Sequence, residues 1–204
     1  MVACILIVIG VLLRTHFHLG DNVEFVTSGA LVSAYYLGLG WGIVVPLTTM
    51  FLSDLIIGNT TIFLFTWSAY IIIGIAGYIL MRIQNSACLP ARQEFRIQNN
   101  PFSKFRSGNL KFIIIKATGL GILASFWFYL WTNFGVWVLD SWGMYPKTIA
   151  GLIQAYAMGI PFLKFTLIGN MVFVPLSFCV MELATKAAIR IKKIDSKAQI
   201  KQFV

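Results

Sequence analysis

Residues 131–147 read WTNFGVWVLDSWGMYPK, and they join two long apolar runs. The stretch holds Trp131, Trp137 and Trp142, three of the six tryptophans, with Phe134 and Tyr145 beside them. A few polar groups are interleaved: Thr132, Asn133, Asp140, Ser141 and Lys147. A plain connection between membrane helices has no need of so many rings. Two readings stand: an aromatic belt at headgroup level, or the rim of a binding pocket. How often the flanking runs cross a bilayer decides the fold.

Composition places the chain in a class. Hydrophobic residues make up 58% and charged residues 11% of 204 residues, where soluble domains carry about 45–50% and about 25%. Mean hydropathy is +0.82. A crossing takes about 20 residues, so six helices and one sizeable loop use the length. The apolar runs lack strict alternation, which favours helices over a β-barrel. The sequence therefore predicts an all-α integral membrane protein of one domain.

Outward from the central stretch, spans are expected at about 2–19, 24–39, 43–57, 62–81, 111–131 and 166–188. Arg14, His16 and His18 fall in the last turns of the first. Gly29, Ala30, Ser33 and Ala34 give the second a small-residue face for close packing. Pro46 is expected in the first turn of the third, where its missing N–H matters little. Gly74 and Gly77 are packing positions of the fourth. Residues 82–110 form a basic hydrophilic loop, and 189–204 a basic tail. The apolar run 148–188 is broken by Gly159, Pro161 and Lys164. It is read as a short or re-entrant helix over 148–163, bent at Pro161, before the last span.

Charge placement sets the orientation. Of the sixteen Lys and Arg residues, seven lie in 82–116 and six in 186–201. Such segments stay cytoplasmic, so both termini are expected inside. Their simplest contact is anionic lipid, at about 1 kcal/mol per basic residue, rather than nucleic acid, despite the net charge of +9. The outer ends then collect Arg14, Asp54, Asn133, Asp140, Lys147 and the aromatic cluster.

Several chemistries are unsupported. No G-x-x-x-x-G-K-[ST] occurs, so this chain is no ATPase. There is no H-E-x-x-H or C-x-x-C, and Cys4, Cys88 and Cys179 are far apart, so no metal or cofactor is expected. Asp54 sits in an apolar run, where a carboxylate is either functional or turned to interfacial water.

TNFGVW at 132–137, YPKT at 145–148, Gly151–Leu152, Pro161–Phe162 and Ser53–Asp54 resemble an uncharacterised family of bacterial integral membrane proteins. The wider organisation resembles the S components of energy-coupling factor (ECF) vitamin transporters. That resemblance implies six helices, an external pocket under a loop, and a location in the bacterial inner membrane. It also implies a coupling membrane subunit with paired ATPases. The family has an acid in the last helix where this chain has Asn170.

The expected function is therefore a substrate-binding subunit of a small-molecule uptake transporter. Trp131, Trp137, Trp142 and Tyr145 would enclose the solute, and Asp54, Asn133 and Lys147 would fix its polar groups, Lys147 taking a carboxylate or phosphate. The alternatives are a membrane enzyme acting on lipid or isoprenoid substrates, with Asp54, Asp140 and the histidines as acid–base groups, and a structural membrane protein.

Overall fold

The computed structural model describes residues 1–17, 25–58, 61–83, 110–141 and 143–202. Six α-helices account for nearly all of them, and no strand occurs among the described residues. They are α1 (Val2–Thr15), α2 (Val26–Tyr36), α3 (Leu39–Ile57), α4 (Phe63–Gly77), α5 (Leu110–Leu139) and α6 (Ile149–Gln202). A π-helical turn, Tyr78–Ile83, continues α4. Four helical segments are long and apolar enough to cross a membrane: Leu39–Ile57, Phe63–Met81, Leu110–Leu139 and Ile149–Ala188. Large apolar side chains lie exposed along them, among them Leu55, Leu64, Ile115, Leu123, Ile153 and Leu183. A water-facing surface does not carry so much exposed apolar area, and a lipid-facing one does.

The helix α2 is the hub. Ten of its eleven residues are buried, because it is walled by α1, α3, α4, α5 and α6. Its small residues let neighbours approach closely. The expected span 24–39 is thus represented by a helix only about 16 Å long at 1.5 Å per residue, against a hydrocarbon core of about 30 Å. Leu37 and Gly38 stop it: the Gly38 N–H reaches the Ser33 carbonyl at 3.0 Å, and Gly38 takes φ 108°, a conformation that glycine supplies without strain. Chain direction reverses there into α3.

Pro46 departs from its expected place. Since α3 starts at Leu39, Pro46 is the eighth residue and not in the first turn. It supplies no N–H to the Gly42 carbonyl. That oxygen packs against Gly74 of α4 so closely that a Cβ at Gly74 would collide with it. A Cβ at Gly42 would in turn lie 2.7 Å from Cβ of Ala34 in α2. Three helices therefore cross at Ala34, Gly42 and Gly74. Gly74→Leu is expected to cost about 3 kcal/mol or more, at or above the usual overpacking range, read as a fall in the melting temperature of the detergent-purified protein.

The last forty apolar residues also differ from expectation. No break separates 148–163 from 166–188; α6 runs unbroken, with Pro161 and Pro175 inside it. Proline's fixed φ is already helical, and α5 packs along α6 and holds it. The apolar part of α6, Ile149–Ala188, is 40 residues, about 60 Å at the helical rise, roughly twice a hydrocarbon core.

The 82–110 loop lies mostly outside the described residues, as do His18, Asp21 and Glu24. The first helix ends at Thr15, earlier than the expected 19. The ends at which α4 finishes, α5 starts and α6 finishes carry the basic segments. The opposite end gathers the last turns of α1 and α3, the first turn of α4, and the α5–α6 turn.

Candidate functional site

At that opposite end Arg14, in the last turn of α1, reaches across to α3. Its Nη1 donates to Asp54 Oδ1 at 2.7 Å and Ser53 Oγ at 2.7 Å, and contacts Met50 Sδ at 3.0 Å. The other carboxylate oxygen, Asp54 Oδ2, accepts the Trp67 indole N–H at 2.8 Å. The side chains of Arg14 and Asp54 are 11% and 6% exposed. The Trp67 ring is gripped edge-on by Phe51 and Phe63. Asp54 is thus the anchor of a buried ion pair joining α1, α3 and α4. It turns to Arg14 and Trp67 rather than to interfacial water.

Arg14 also lines a cavity. A cleft of about 350 Å³ opens between α5 and α6, floored by Thr66 and Ile62 at the start of α4, with Arg14 and Tyr145 at its edges. Its α5 wall is Tyr129, Thr132, Asn133 and Val136, and its α6 wall runs from Ala155 through Gly159 and Phe162 to Thr166. Both walls follow helical spacing, so each is one face of its helix. At Gly159 α6 comes close to α5: a Cβ there would collide with the Asn133 amide.

The polar groups of the walls are tied to backbone. The Thr132 hydroxyl donates to the Phe128 carbonyl at 2.7 Å, and the Thr166 hydroxyl to that of Phe162 at 2.9 Å. Thr66 donates to Phe63 at 3.0 Å. The Asn133 amide N–H donates to the Tyr129 carbonyl at 2.8 Å. The Tyr129 hydroxyl crosses to the Tyr156 carbonyl at 2.7 Å, and the Tyr156 hydroxyl returns to the Leu130 carbonyl at 3.2 Å.

The α5–α6 turn is tightly organised. Asp140, at φ 39°, accepts the N–H groups of Met144 and Tyr145 at 2.8 and 3.0 Å. Lys147 Nζ donates to the carbonyls of Trp137 and, at 2.8 Å, Val138. It caps the end of α5, where a cation suits the helix dipole, and it also lies 5.6 Å from the centre of the Trp137 ring. The Trp137 indole N–H donates to the Pro146 carbonyl at 3.1 Å. Thr148 Oγ1 accepts the Gly151 N–H at 3.2 Å, as an N-cap does.

Of the residues expected to meet a solute, the structure brings Asn133 and Tyr145 to the cleft. Asp54 stands behind Arg14. Trp137 and Lys147 fasten the turn. Trp131 faces α4: its indole donates to Ser68 Oγ at 2.8 Å, and its ring stacks on Trp127 with centroids 5.5 Å apart. Phe65 completes that contact, lying on Gly135 where any Cβ would collide with the ring. Trp142 lies outside the described residues. The aromatic density therefore does mainly structural duty on one face of α5, while the cleft uses the opposite face. The missed residues were legible as a pattern. Tyr129, Thr132, Asn133 and Val136 follow i, i+3, i+4, i+7, and the rings at 127, 131 and 134 follow the complementary face.

Two further polar residues are buried elsewhere. Asn170 donates to Ser125 Oγ at 2.8 Å and the Gly121 carbonyl at 3.2 Å, fastening α6 to α5. Glu182, an acid within the last apolar run, accepts the Tyr36 hydroxyl at 2.8 Å near the opposite end of the bundle. Among the described residues, no three of His, Cys, Asp and Glu converge.

No curated protein and no solved structure matches the chain. A family model does, over residues 1–194. The chain, with its apolar helices, its buried ion pair and its cleft of mixed polar and apolar lining at one end, belongs to DUF6580, a family of unknown function.

Proposed function

We propose that the protein is the solute-binding membrane subunit of a small-molecule uptake transporter and that the cleft between α5 and α6 holds the solute. The observation that carries this reading is the cleft itself. A cavity of about 350 Å³ falls at the small end of the range for ligand pockets, about 300–1,000 Å³. Polar and apolar side chains share its walls, Arg14 among them, inside a bundle whose outer surface is apolar. An ionisable side chain facing a cavity at such a place marks a candidate site.

Its position supports capture from outside. The end of α4, the start of α5 and the end of α6, which the basic segments adjoin in sequence, lie at the other end, and the positive-inside rule assigns that end to the cytoplasm. Both termini are then cytoplasmic, and the α5–α6 turn faces out. The resemblance to S components fits a division of labour in which this chain binds and a coupling membrane subunit with paired ATPases supplies energy, in a bacterial inner membrane. The membrane-enzyme alternative draws no support from the acids: Asp54 and Asp140 are each engaged in structural hydrogen bonds and do not converge on one cleft.

Thiol labelling in intact cells tests the orientation. With the native cysteines replaced, Met144→Cys in the turn is expected to react with a membrane-impermeant maleimide, and Ala187→Cys only after permeabilisation. The reverse pattern would sink outside capture.

A further inference from the structure

We infer that the solute is an uncharged ring compound that donates N–H or O–H hydrogen bonds to the cleft, and not a carboxylate or phosphate. The inference rests on the solute-capture reading and deepens it.

Hydrogen-bond direction carries the argument. A hydroxyl has one hydrogen to donate and two lone pairs to accept with. Thr66, Thr132 and Thr166 each contact a carbonyl oxygen within their own helix. A carbonyl can only accept, so each threonine has given its hydrogen away. The same holds for Tyr129, whose hydroxyl is spent on the Tyr156 carbonyl. The Asn133 amide is oriented by the Tyr129 carbonyl, which requires its NH2 there, and its Oδ1 lies against Gly159. Four hydroxyls of the walls therefore offer lone pairs, and the Tyr145 hydroxyl at the edge can donate or accept. A ligand that brings hydrogens satisfies the walls.

Charge points the same way. The positive charge that lines the cleft, Arg14, is balanced at 2.7 Å by Asp54. Lys147, in the α5–α6 turn, is occupied with the carbonyls of Trp137 and Val138. An anion would set its own lone pairs against those of the walls. An ammonium would find no carboxylate among the described residues that line the cleft. Phe128, Met158 and Phe162 supply apolar surface between the polar groups, which suits a ring. The volume of about 350 Å³ stands at the small end of ligand pockets, so the ligand is small.

The test is titration calorimetry on the full chain in detergent with three matched pairs: uracil and orotate, nicotinamide and nicotinate, benzamide and benzoate. Benzylamine serves as the cationic control. At least one neutral member is expected to bind tenfold or more tightly than its carboxylate partner. Thr132→Val and Thr166→Val, which keep shape and remove one acceptor each, are expected to weaken that binding about fivefold to tenfold with an unchanged melting temperature. Equal or tighter binding of the carboxylates, or of benzylamine, would overturn this inference and leave solute capture standing. Silence from every probe, charged or neutral, would overturn solute capture and this inference with it.

Discussion

Asp54→Asn is expected to lower stability by about 3–5 kcal/mol, the range for breaking a buried ion pair by removing one partner. The substitution leaves Arg14, 11% exposed, with its charge unbalanced between α1 and α3. It also replaces with a neutral amide the carboxylate oxygen that accepts the Trp67 indole. For a chain of this size the loss corresponds to a melting temperature lower by on the order of 10 °C. The double variant Arg14→Met with Asp54→Leu is expected to recover most of the loss, because well-packed apolar replacements of buried pairs are often neutral or better. A thermal unfolding series on the wild type, Arg14→Met, Asp54→Leu and their double variant, with Asp54→Asn beside them, checks it. Near-additive losses would mean the two charges do not act as a pair.

Gly159→Leu carries the second large effect. A Cβ at 159 already collides with the Asn133 amide, so a leucine there fills the cleft and displaces Asn133 from its wall. Binding of whatever solute the wild type retains is expected to fall by a hundredfold or more. Gly119→Leu is the matched control, since nothing lies within 4 Å of a Cβ at that position. Binding measured on both variants separates a blocked cleft from a general effect of a bulkier helix residue. Equal binding by the Gly159 variant and the wild type would place the solute elsewhere.

Much of the architecture was legible because apolar length is a strong signal: the runs that form α3, α4 and α5 stand out against the polar segments. What was not legible depended on who packs against whom. The run at 24–39 resembles a span by composition, but its small residues serve a short helix enclosed on all sides. Pro161 is a breaker by local rules, and the long contact with α5 overrides them. Pro46 was misplaced because the start of α3 is set by Gly38, whose positive φ no apolar pattern reveals.

The site divides the same way. Thr132, Asn133 and Tyr145 stand in the motif stretch, and the cleft does use them. The tryptophans were more conspicuous than informative, because a ring that packs two helices together and a ring that faces a solute have the same sequence. Lys147 looked like a ligand for an anion, and it is satisfied by carbonyls nine and ten residues back. Arg14 and Asp54 are forty positions apart, so only the folded chain shows that each is the other's counter-ion. Glu182 stayed hidden inside a run read as apolar.

The claim that matters most is that this cleft holds a small molecule. Native mass spectrometry of the protein, purified in mild detergent from its own membrane, addresses it directly. The expected spectrum shows a small-molecule adduct on the wild type that disappears in Gly159→Leu and persists in Gly119→Leu. An adduct-free wild type that stays bare on addition of the neutral ring compounds, or an adduct indifferent to Gly159→Leu, would contradict it.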